Sequence, residues 1–285
     1  MERLKGKRIV ITGSSRSLGR EFALACAREG ASLVLNGTNT QALENTLAEV
    51  KALGAQAIGV AGSVAEEAVA ADLVAQCIHT FGGVDVMVCN AGIVRDRTLL
   101  KMSAEEFDEV IAVDLRGPFL CMQQAARAMV EQGNGHIIHI TSASGLIGNF
   151  GQTNYAAAKA GLMGMTYTAV KELRKKGVRI NMMWPVARTD MTRGLIEQSG
   201  KTAQELGFGE AEDVARGLVL LASDACDSWN GQCLTFNGYR TALWQSPVEK
   251  HVLEADNPLT LEQLEQHYGA AAPLDIYSRQ PARDW

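Results

Sequence analysis

The sequence predicts an α/β fold: a single doubly wound parallel sheet of about seven strands with helices on both faces. Short apolar segments alternate with longer segments of helical periodicity along most of the chain. Buried strands that alternate with helices form parallel sheets through right-handed crossovers. A glycine- and serine-containing loop joins the first strand to the first helix, and no internal repeat interrupts the alternation.

Each predicted strand leads into a helix, except the last. The strands are expected over residues 8–12, 32–36, 57–60, 84–89, 136–142, 178–184 and 232–236. The first helix is expected to run from the first loop to about residue 29. Further helices are expected over 41–53, 66–81, 104–130 and 212–223, and the helix that contains Tyr155 is expected to end at about 176. Gly54 follows the second helix, as glycine commonly does at helix ends, and Pro185 stops the sixth strand.

The alternation predicts one domain over residues 1–238 and a C-terminal extension over 239–285. Thr260 and Gln263 have the spacing of a capping box, and Leu261, Leu264 and Tyr268 share one face of the helix that follows. A helix of about nine residues is marginal alone. The extension is therefore expected to pack on the domain or on a neighbouring subunit, with Trp244 and the leucine face as anchors. Its remainder is expected to be an extended arm with four prolines: Pro247, Pro258, Pro273 and Pro281.

Composition excludes several function classes. The net charge is −5 and no dense basic stripe is present, which argues against nucleic-acid binding. No run reaches the roughly 20 apolar residues that a membrane span needs. Six cysteines without a Cys-x-x-Cys pair fit a reducing compartment, and the apolar stretch after residues 1–8 is too short for a signal peptide. We therefore expect a soluble cytoplasmic protein. His136 and His139 are three apart on a strand and point to opposite faces, so no metal site is expected.

Three residues are the candidate catalytic set. Tyr155 and Lys159 are four apart on a predicted helix, so the phenol and the ammonium share a face. Ser142 ends a predicted buried strand, at the sheet edge where open parallel sheets bind ligands. A free tyrosine has a pKa of about 10, and a cation one turn away is expected to lower it. A hydroxyl donor, an acid/base and its cation suit proton transfer at a carbonyl oxygen.

The loop after the first strand has the small residues that let a backbone approach a phosphate at the start of a helix. We expect this loop to bind a cofactor phosphate through Gly13, Ser15, Arg16, Ser17, Leu18 and Gly19.

Together these motifs resemble the short-chain dehydrogenase/reductase family, most closely its bacterial 3-oxoacyl-acyl-carrier-protein reductases. The family's loop is Thr-Gly-x-x-x-Gly-x-Gly, and residues 12–19 follow it except at Ser17. Cys89–Gly92 resembles the family's Asn-Asn-Ala-Gly turn, and Thr189–Met191 resembles its nicotinamide-contacting segment. The resemblance covers roughly residues 5–240. It implies a Rossmann-type fold and a nicotinamide-dependent oxidoreductase that forms homodimers or homotetramers through the 104–130 and tyrosine helices. We expect a tetramer.

The resemblance also implies where the cofactor binds. Beyond the loop, the implied contacts are Gly37, Thr38, Ser63, Val64, Asn90, Ala91, Gly92, Tyr155, Lys159, Pro185, Val186 and Thr189. Gly37 stands where enzymes that use NAD commonly have an acid for the ribose hydroxyls. Because no carboxylate there would repel a 2′-phosphate, and Arg16 and Thr38 can bind one, NADP(H) is favoured over NAD(H).

Four positions depart from the family pattern. Ser17 replaces the middle glycine of the loop, Ser63 an aspartate or asparagine beside the adenine, and Val186 the glycine that usually follows Pro185. Asp114 replaces the asparagine that holds a water beside the lysine in the family. We include Asp114 in the candidate catalytic set, and its charge is expected to raise the lysine pKa.

The substrate is expected to be a small carbonyl compound or alcohol. The segment between 191 and 210 is the expected lid, and its apolar residues, with those near the active site, suit an apolar or acyl-chain ketone: Leu195, Ile196, Leu206, Phe208, Ile147, Phe150 and Trp184. Three functions stay open: an NADP(H)-dependent ketone reductase, an alcohol or hydroxysteroid dehydrogenase working oxidatively, and a nucleotide-binding regulatory protein without turnover.

Overall fold

A computed structural model describes residues 2–244, 252–255 and 257–269 of the chain. Residues up to Trp244 belong to one compact unit. Its strands are β1 (Arg8–Ile11), β2 (Ser32–Gly37), β3 (Ala57–Ala61), β4 (Val86–Cys89), β5 (Gly135–Ile140), β6 (Val178–Pro185), β7 (Ala187–Arg188), β8 (Gly209–Glu210), β9 (Cys233–Phe236) and β10 (Thr241–Trp244). Its helices are α1 (Ser17–Arg28), α2 (Thr40–Ala52), α3 (Glu67–Phe81), α4 (Ala104–Ile111), α5 (Gly117–Gln132), α6 (Ala143–Ile147), α7 (Thr153–Leu173), α8 (Asp190–Ser199) and α9 (Ala211–Ala222).

The main sheet has eight strands in the order β10-β9-β6-β5-β4-β1-β2-β3. All neighbours are parallel except β10, which runs antiparallel to β9. This confirms the predicted doubly wound parallel sheet. Within this sheet the strand that was not predicted is β10, which follows a turn at Gly238 with φ of +89°. Its last residue, Trp244, packs against Trp184 with ring centroids 5.1 Å apart and ring planes tilted by 40°, so this expected anchor of the extension packs against the chain's own sheet. Strands β7 and β8, also not predicted, pair with each other in a separate two-stranded parallel sheet.

The strand order reverses between β1 and β4. From β1 the chain winds outward through β2 and β3 and then returns to place β4 on the other side of β1. The loops that leave the carboxyl ends of β1 and β4 therefore diverge to opposite faces of the sheet. Such a switch point opens a crevice where doubly wound sheets bind their ligands.

Apolar side chains cover both faces of the sheet. In β1, Ile9 and Ile11 point into the layer that contains α1 and α9, whereas Val10 points into the layer that contains α3 and α5. All three are fully buried. A sheet covered on both faces explains why the strands read as continuous apolar runs without polar alternation.

The predicted 104–130 helix contains a π-helical turn. Helix α4 ends at Ile111, a π-helical turn spans Ala112–Arg116, and α5 begins at Gly117. The backbone stays right-handed helical at both junctions, so the predicted helix is present, with one residue more in this turn than an α-helix has. Its effect is local: Asp114 lies within the turn with no exposed surface.

Most other boundaries lie within a residue or two of the prediction. Glycines in the left-handed conformation end several helices, with Gly82 after α3 and Gly133 after α5. The predicted capping box of Thr260 and Gln263 is confirmed, and it begins α10 (Leu261–Leu264), which continues as a π-turn to Gly269. The expected arm prolines at 247, 273 and 281 lie outside the described residues. Within the described part of the chain, no helix combines the length and apolarity that crossing a membrane requires.

Candidate active site

The candidate catalytic side chains meet beyond the carboxyl end of β5. Ser142 is the N-cap residue of α6, and its Oγ accepts the Ser144 backbone N–H at 3.3 Å. Helix α6 packs closely on α7, because a Cβ on Gly145 would lie 2.6 Å from the Lys159 carbonyl carbon. On α7, Lys159 Nζ lies 5.2 Å from the centroid of the Tyr155 ring. The structure thus brings together the serine, tyrosine and lysine that the spacing predicted.

Lys159 is held in a buried polar site. Its Nζ lies 3.1 Å from Asp114 Oδ2 and donates to the Ile140 carbonyl at 3.2 Å. The other carboxylate oxygen, Oδ1, accepts the Ile93 backbone N–H at 2.8 Å. Gly92 leaves room for this arrangement, since a Cβ there would lie 2.7 Å from Asp114 Oδ2. The lysine and aspartate side chains are 4% and 0% exposed, so water screens their attraction little.

The pKa of Tyr155 moves opposite to the expectation. Burial raises it, the Lys159 ammonium lowers it, and the Asp114 carboxylate raises it again, so the pKa lies above its ordinary value. The Ser142 hydroxyl lowers the Tyr155 pKa and the Asp96 carboxylate raises it, both with smaller effect. Lys159 does lower the Tyr155 pKa, as predicted. The predicted net lowering is wrong, because burial and the Asp114 carboxylate together raise this pKa by more than the ammonium lowers it.

The pKa values of Lys159 and Asp114 are also shifted. Burial lowers the pKa of Lys159, but attraction to Asp114 and Tyr155 outweighs it, so the pKa lies above its ordinary value as expected. Burial raises the pKa of Asp114 more than Lys159 and the Ile93 N–H lower it. The two groups therefore form a coupled pair that titrates as a unit.

The loop after β1 packs closely on the turn after β4. Gly13 has φ of +62°, and a Cβ there would lie 2.7 Å from the Ala91 Cα. A Cβ on Gly19 would lie 2.1 Å from the Gly13 carbonyl oxygen. Asn90 Nδ2 donates to the carbonyls of Thr12 and Gly13 at 2.9 and 3.1 Å. The glycines are thus needed to bring the loop and the turn together at the switch point.

The start of α1 can hold a phosphate. Arg16 is the N-cap residue, is exposed, and makes no side-chain capping bond, so capping does not occupy the helix's first N–H groups. Leu18 follows in the first turn. These free donors and the helix dipole fit the pyrophosphate of a dinucleotide. Ser17 has φ of +49° and is the non-glycine residue in the described chain with positive φ, so the loop keeps a glycine-like conformation with a serine in it.

The end of β2 has no room for an acid. A Cβ on Gly37 would lie 2.5 Å from Ser15 Oγ, so the Ser15 side chain fills the space beside it. Thr38 and Arg16 are both exposed near this loop. Asn36, which the sequence analysis missed, holds the site together: its Oδ1 accepts the Gly13 N–H at 3.3 Å, and its Nδ2 donates to the Val60 carbonyl at 3.0 Å. The sequence feature that could have indicated this role is a polar residue, Asn36, near the end of an otherwise apolar strand.

The remaining predicted cofactor contacts lie at other strand ends. Ser63 Oγ accepts the Ala65 N–H at 3.3 Å after β3, and Val64 is buried. Pro185 ends β6, and Val186 after it is 8% exposed.

Thr189 begins α8, and its N–H donates to Thr192 Oγ1 at 2.8 Å. The Asp190 N–H points to Ser17 Oγ at 3.5 Å. A cleft of about 520 Å³ beside this contact is lined by Ser17, Arg20 and Glu21 of α1 on one side and by α8 on the other. Helix α8, at the start of the segment expected to be the lid, thus lies beside the start of α1.

A hydrogen-bonded chain that the sequence analysis missed lies beside Ser142. Ser144 Oγ donates to Gln152 Oε1 at 2.7 Å, and Gln152 Nε2 donates to both Asp96 oxygens at 3.1 Å. Gln152 is the N-cap residue of α7, three residues before Tyr155. That position was its only sequence signal, because nothing local indicates its partners on two other segments.

The two strand histidines are buried and separate. His139 Nδ1 lies 2.9 Å from Thr166 Oγ1, whereas His136 Nε2 lies 2.9 Å from Asn181 Nδ2. Burial lowers the pKa of His136 to about 3 and that of His139 to about 4, so both are neutral at pH 7. The described residues contain no group of three or more His, Cys, Asp or Glu side chains arranged for a metal.

Comparison with known proteins gives consistent matches. Residues 7–200 match the family model described as short chain dehydrogenase. The chain is 37% identical over 239 residues to the 3-oxoacyl-acyl-carrier-protein reductase FabG of Staphylococcus epidermidis, covering 81% of this chain and 98% of that protein. Identity to the FabG of Thermotoga maritima is also 37%, over 241 residues that cover 83% of this chain and 98% of that protein.

Solved structures of short-chain dehydrogenases are also similar to the chain. A short chain dehydrogenase from Mycobacterium avium superposes with a TM-score of 0.81 at 31% identity, covering 93% of each chain. A short-chain type dehydrogenase/reductase from Mycobacterium marinum gives a TM-score of 0.77 at 32% identity, covering 83% of this chain and 96% of that one.

Proposed function

The chain belongs to the short-chain dehydrogenase/reductase family and is an NAD(P)-dependent oxidoreductase, and on that premise we propose that it reduces an apolar ketone with NADPH. A 3-oxoacyl compound is the substrate class we favour, because relatives with 37% identity over nearly their whole length carry that activity in their names. The observation that carries the proposal is the meeting of Ser142, Tyr155 and Lys159 beyond the carboxyl end of β5.

The residues divide the chemistry in a simple way. When bound, the nicotinamide supplies the hydride that reaches the carbonyl carbon. Ser142 donates a hydrogen bond to the carbonyl oxygen and orients it. Tyr155 donates its proton to that oxygen as the negative charge develops. Lys159 stabilises the resulting phenolate and, with Asp114, passes the replacement proton.

The preference for NADPH rests on the end of β2 and the loop before α1. No carboxylate stands at Gly37 to repel a 2′-phosphate, and Ser15 fills the space that such an acid would occupy. Arg16 and Thr38 are exposed and can supply a cation and a hydroxyl donor. A guanidinium binds phosphate through two parallel hydrogen bonds, which makes Arg16 the residue with the largest expected effect.

The lid and its neighbours support an apolar substrate. Phe150 is 87% exposed and Leu195 on α8 is 56% exposed, so both present apolar surface. Trp184, by contrast, is only 6% exposed and packs against Trp244, so it supports the sheet end rather than lining an open site. Large exposed apolar groups near a candidate active site are typical of surfaces that bind an apolar ligand.

The direct experiment is NADPH and NADH oxidation by the purified protein with β-ketoesters, 3-oxoacyl thioesters and cyclic ketones, beside Tyr155→Phe. Turnover with NADPH that the variant loses is the expected result. Turnover that Tyr155→Phe retains would contradict the catalytic assignment. Nucleotide binding without turnover on any ketone, in either direction, would favour the regulatory protein without catalysis.

One observation bears on the oxidative alternative. An alcohol or hydroxysteroid dehydrogenase needs Tyr155 as a base, and the raised pKa of Tyr155 makes the phenolate scarce at neutral pH. We therefore expect alcohol oxidation to become appreciable only under alkaline conditions. Comparing the pH dependence of ketone reduction with that of alcohol oxidation therefore distinguishes a reductase from an oxidative dehydrogenase.

We also propose a homotetramer or homodimer formed through α4, α5 and α7. Phe119 on α5 is 41% exposed, which leaves an apolar side chain available for such a contact. Sedimentation equilibrium measures the assembly directly, and a monomer at micromolar concentration would contradict it. A role for residues 239–285 in packing, and a cytoplasmic location, stay predictions.

A further inference from the structure

The charge beside the catalytic lysine distinguishes this chain from the pattern it otherwise follows. Asp114 stands where the family pattern has an uncharged asparagine, and the π-turn buries its carboxylate completely. Its Oδ2 lies 3.1 Å from Lys159 Nζ and has no aligned hydrogen-bond donor among the described residues. The contact is therefore an ion pair made in a site that water does not reach.

The pair contributes no net charge to the site. If the shared proton is on Lys159, the positive charge of the ammonium and the negative charge of the carboxylate cancel. If the proton has moved to Asp114, both groups are neutral. In either arrangement Tyr155 faces a pair whose charges sum to zero. A lone ammonium at the same distance would instead stabilise the phenolate strongly.

The other groups around the tyrosine do not replace the missing positive charge. The titratable and polar groups that face Tyr155 and the pair from the packed elements are Ser142 on α6, Asp96 before α4, Cys89 on β4 and His139 on β5. Burial raises the pKa of Cys89 well above its ordinary value and lowers that of His139 to about 4, so both are neutral at pH 7. Asp96 adds negative charge, which opposes phenolate formation.

We propose that Asp114 is a charge-balancing residue which neutralises Lys159 and keeps Tyr155 protonated, so that the resting site is prepared to donate a proton to a carbonyl oxygen and accepts one from an alcohol only at alkaline pH. Asp114 acts on Tyr155 through Lys159, its ion-pair partner at 3.1 Å, so we assign it here as a positioning residue rather than as a member of the catalytic set. This inference rests on the proposed function for its direction of reaction, but its charge balance rests on the geometry alone.

The first test measures Tyr155 ionisation without cofactor or substrate. Phenolate absorbance near 295 nm is recorded against pH for the parent and for Tyr155→Phe, and their difference isolates this one of the five tyrosines. The same pair of measurements is made in the Asp114→Asn background. We expect the Tyr155 midpoint to fall by at least about one pH unit in Asp114→Asn, the lower end of the effect of a nearby cation.

A midpoint that is unchanged or raised in Asp114→Asn would overturn the proposal. The remote control is Asp72→Asn, an exposed residue of α3, which should leave the midpoint where the parent has it. If Asp114→Asn fails to fold by circular dichroism, the parent still decides: a Tyr155 midpoint at or below about 10 would refute the proposal.

The second test follows the pH dependence of turnover. In Asp114→Asn the rate of ketone reduction should decline at lower pH than in the parent, while alcohol oxidation near pH 7 should increase. If no ketone or alcohol is turned over but the Tyr155 midpoint shifts as expected, the proposed function fails and the charge balance stands. If turnover occurs and its pH dependence is the same in both proteins, the charge balance fails and the function stands.

Discussion

Replacing Lys159 by methionine tests how the buried pair contributes to stability. The substitution keeps an unbranched apolar side chain but leaves the Asp114 carboxylate, which is 0% exposed, without its cation. Removing one partner of a buried ion pair typically costs about 3–5 kcal/mol, because the remaining charge is uncompensated. We expect a loss of that size in the free energy of unfolding at pH 7, measured by urea denaturation with circular dichroism.

The pH dependence of this loss has a defined sign. Without Lys159, the pKa of Asp114 in the folded protein rises further above the unfolded value of about 3.9. The folded state then binds the proton more tightly, so stability is retained at acidic pH and lost as the pH rises through the folded pKa. Adding Asp114→Asn removes the carboxylate, and the double variant should recover most of the loss.

The matched control is Arg95→Met, which removes the cation of an exposed ion pair with Glu109 whose side chains are 42% and 50% exposed. Such pairs contribute about 0–1 kcal/mol. If Lys159→Met cost no more than this control, or if the double variant were no more stable than Lys159→Met alone, the reasoning about the buried pair would be refuted.

Three further predictions follow from the site. Tyr155→Phe should lower ketone reduction by at least about 10²-fold while NADPH binding, followed by nicotinamide fluorescence, is retained; equal rates would contradict the proton-donor role. Gly37→Asp alone would clash with Ser15 Oγ, which lies 2.5 Å from the new Cβ, so the test uses the double variant Gly37→Asp/Ser15→Gly. Its kcat/KM should shift from NADPH toward NADH, and an unchanged ratio would argue against the proposed basis of cofactor preference. Because burial lowers the pKa of His139 to about 4, stability should fall as the pH drops from about 6.5 toward that value, and His139→Asn should flatten this slope in urea titrations.

The strands and the catalytic spacing could be predicted because they depend on local patterns. Apolar runs between glycines locate β1 and β5, and a four-residue spacing on a helix fixes which side chains share a face. Tyr155 and Lys159 therefore lie as predicted, and the loop from Gly13 to Gly19 lies where a strand–loop–helix unit must place it.

The features that the sequence analysis missed depend on contacts between distant segments. Strand β10 is only four residues long, and it is stabilised by pairing with β9 and by Trp244 packing against Trp184, sixty positions away along the chain. The π-turn at Asp114 adds one residue to a turn within a helix whose bounds were otherwise predicted. Gln152 has partners at Ser144 and Asp96, which no local motif connects.

The direction of the Tyr155 pKa shift was mispredicted for a related reason. The sequence shows the cation one turn away, but it does not show that the tyrosine is partly buried or that Asp114 faces the same lysine. Burial and a second charge are properties of the assembled site. They reverse the effect expected from the lysine alone.

The central claim is that this chain transfers a hydride from NADPH to a carbonyl carbon while Tyr155 protonates the oxygen. The most direct measurement uses NADPH carrying deuterium at both positions of nicotinamide carbon 4, a 3-oxoacyl thioester, and mass spectrometry of the product. The account predicts a 3-hydroxyacyl product with one deuterium on the carbinol carbon, formed by the parent and lost in Tyr155→Phe. A product without deuterium, or labelled product formed equally by both proteins, would contradict it.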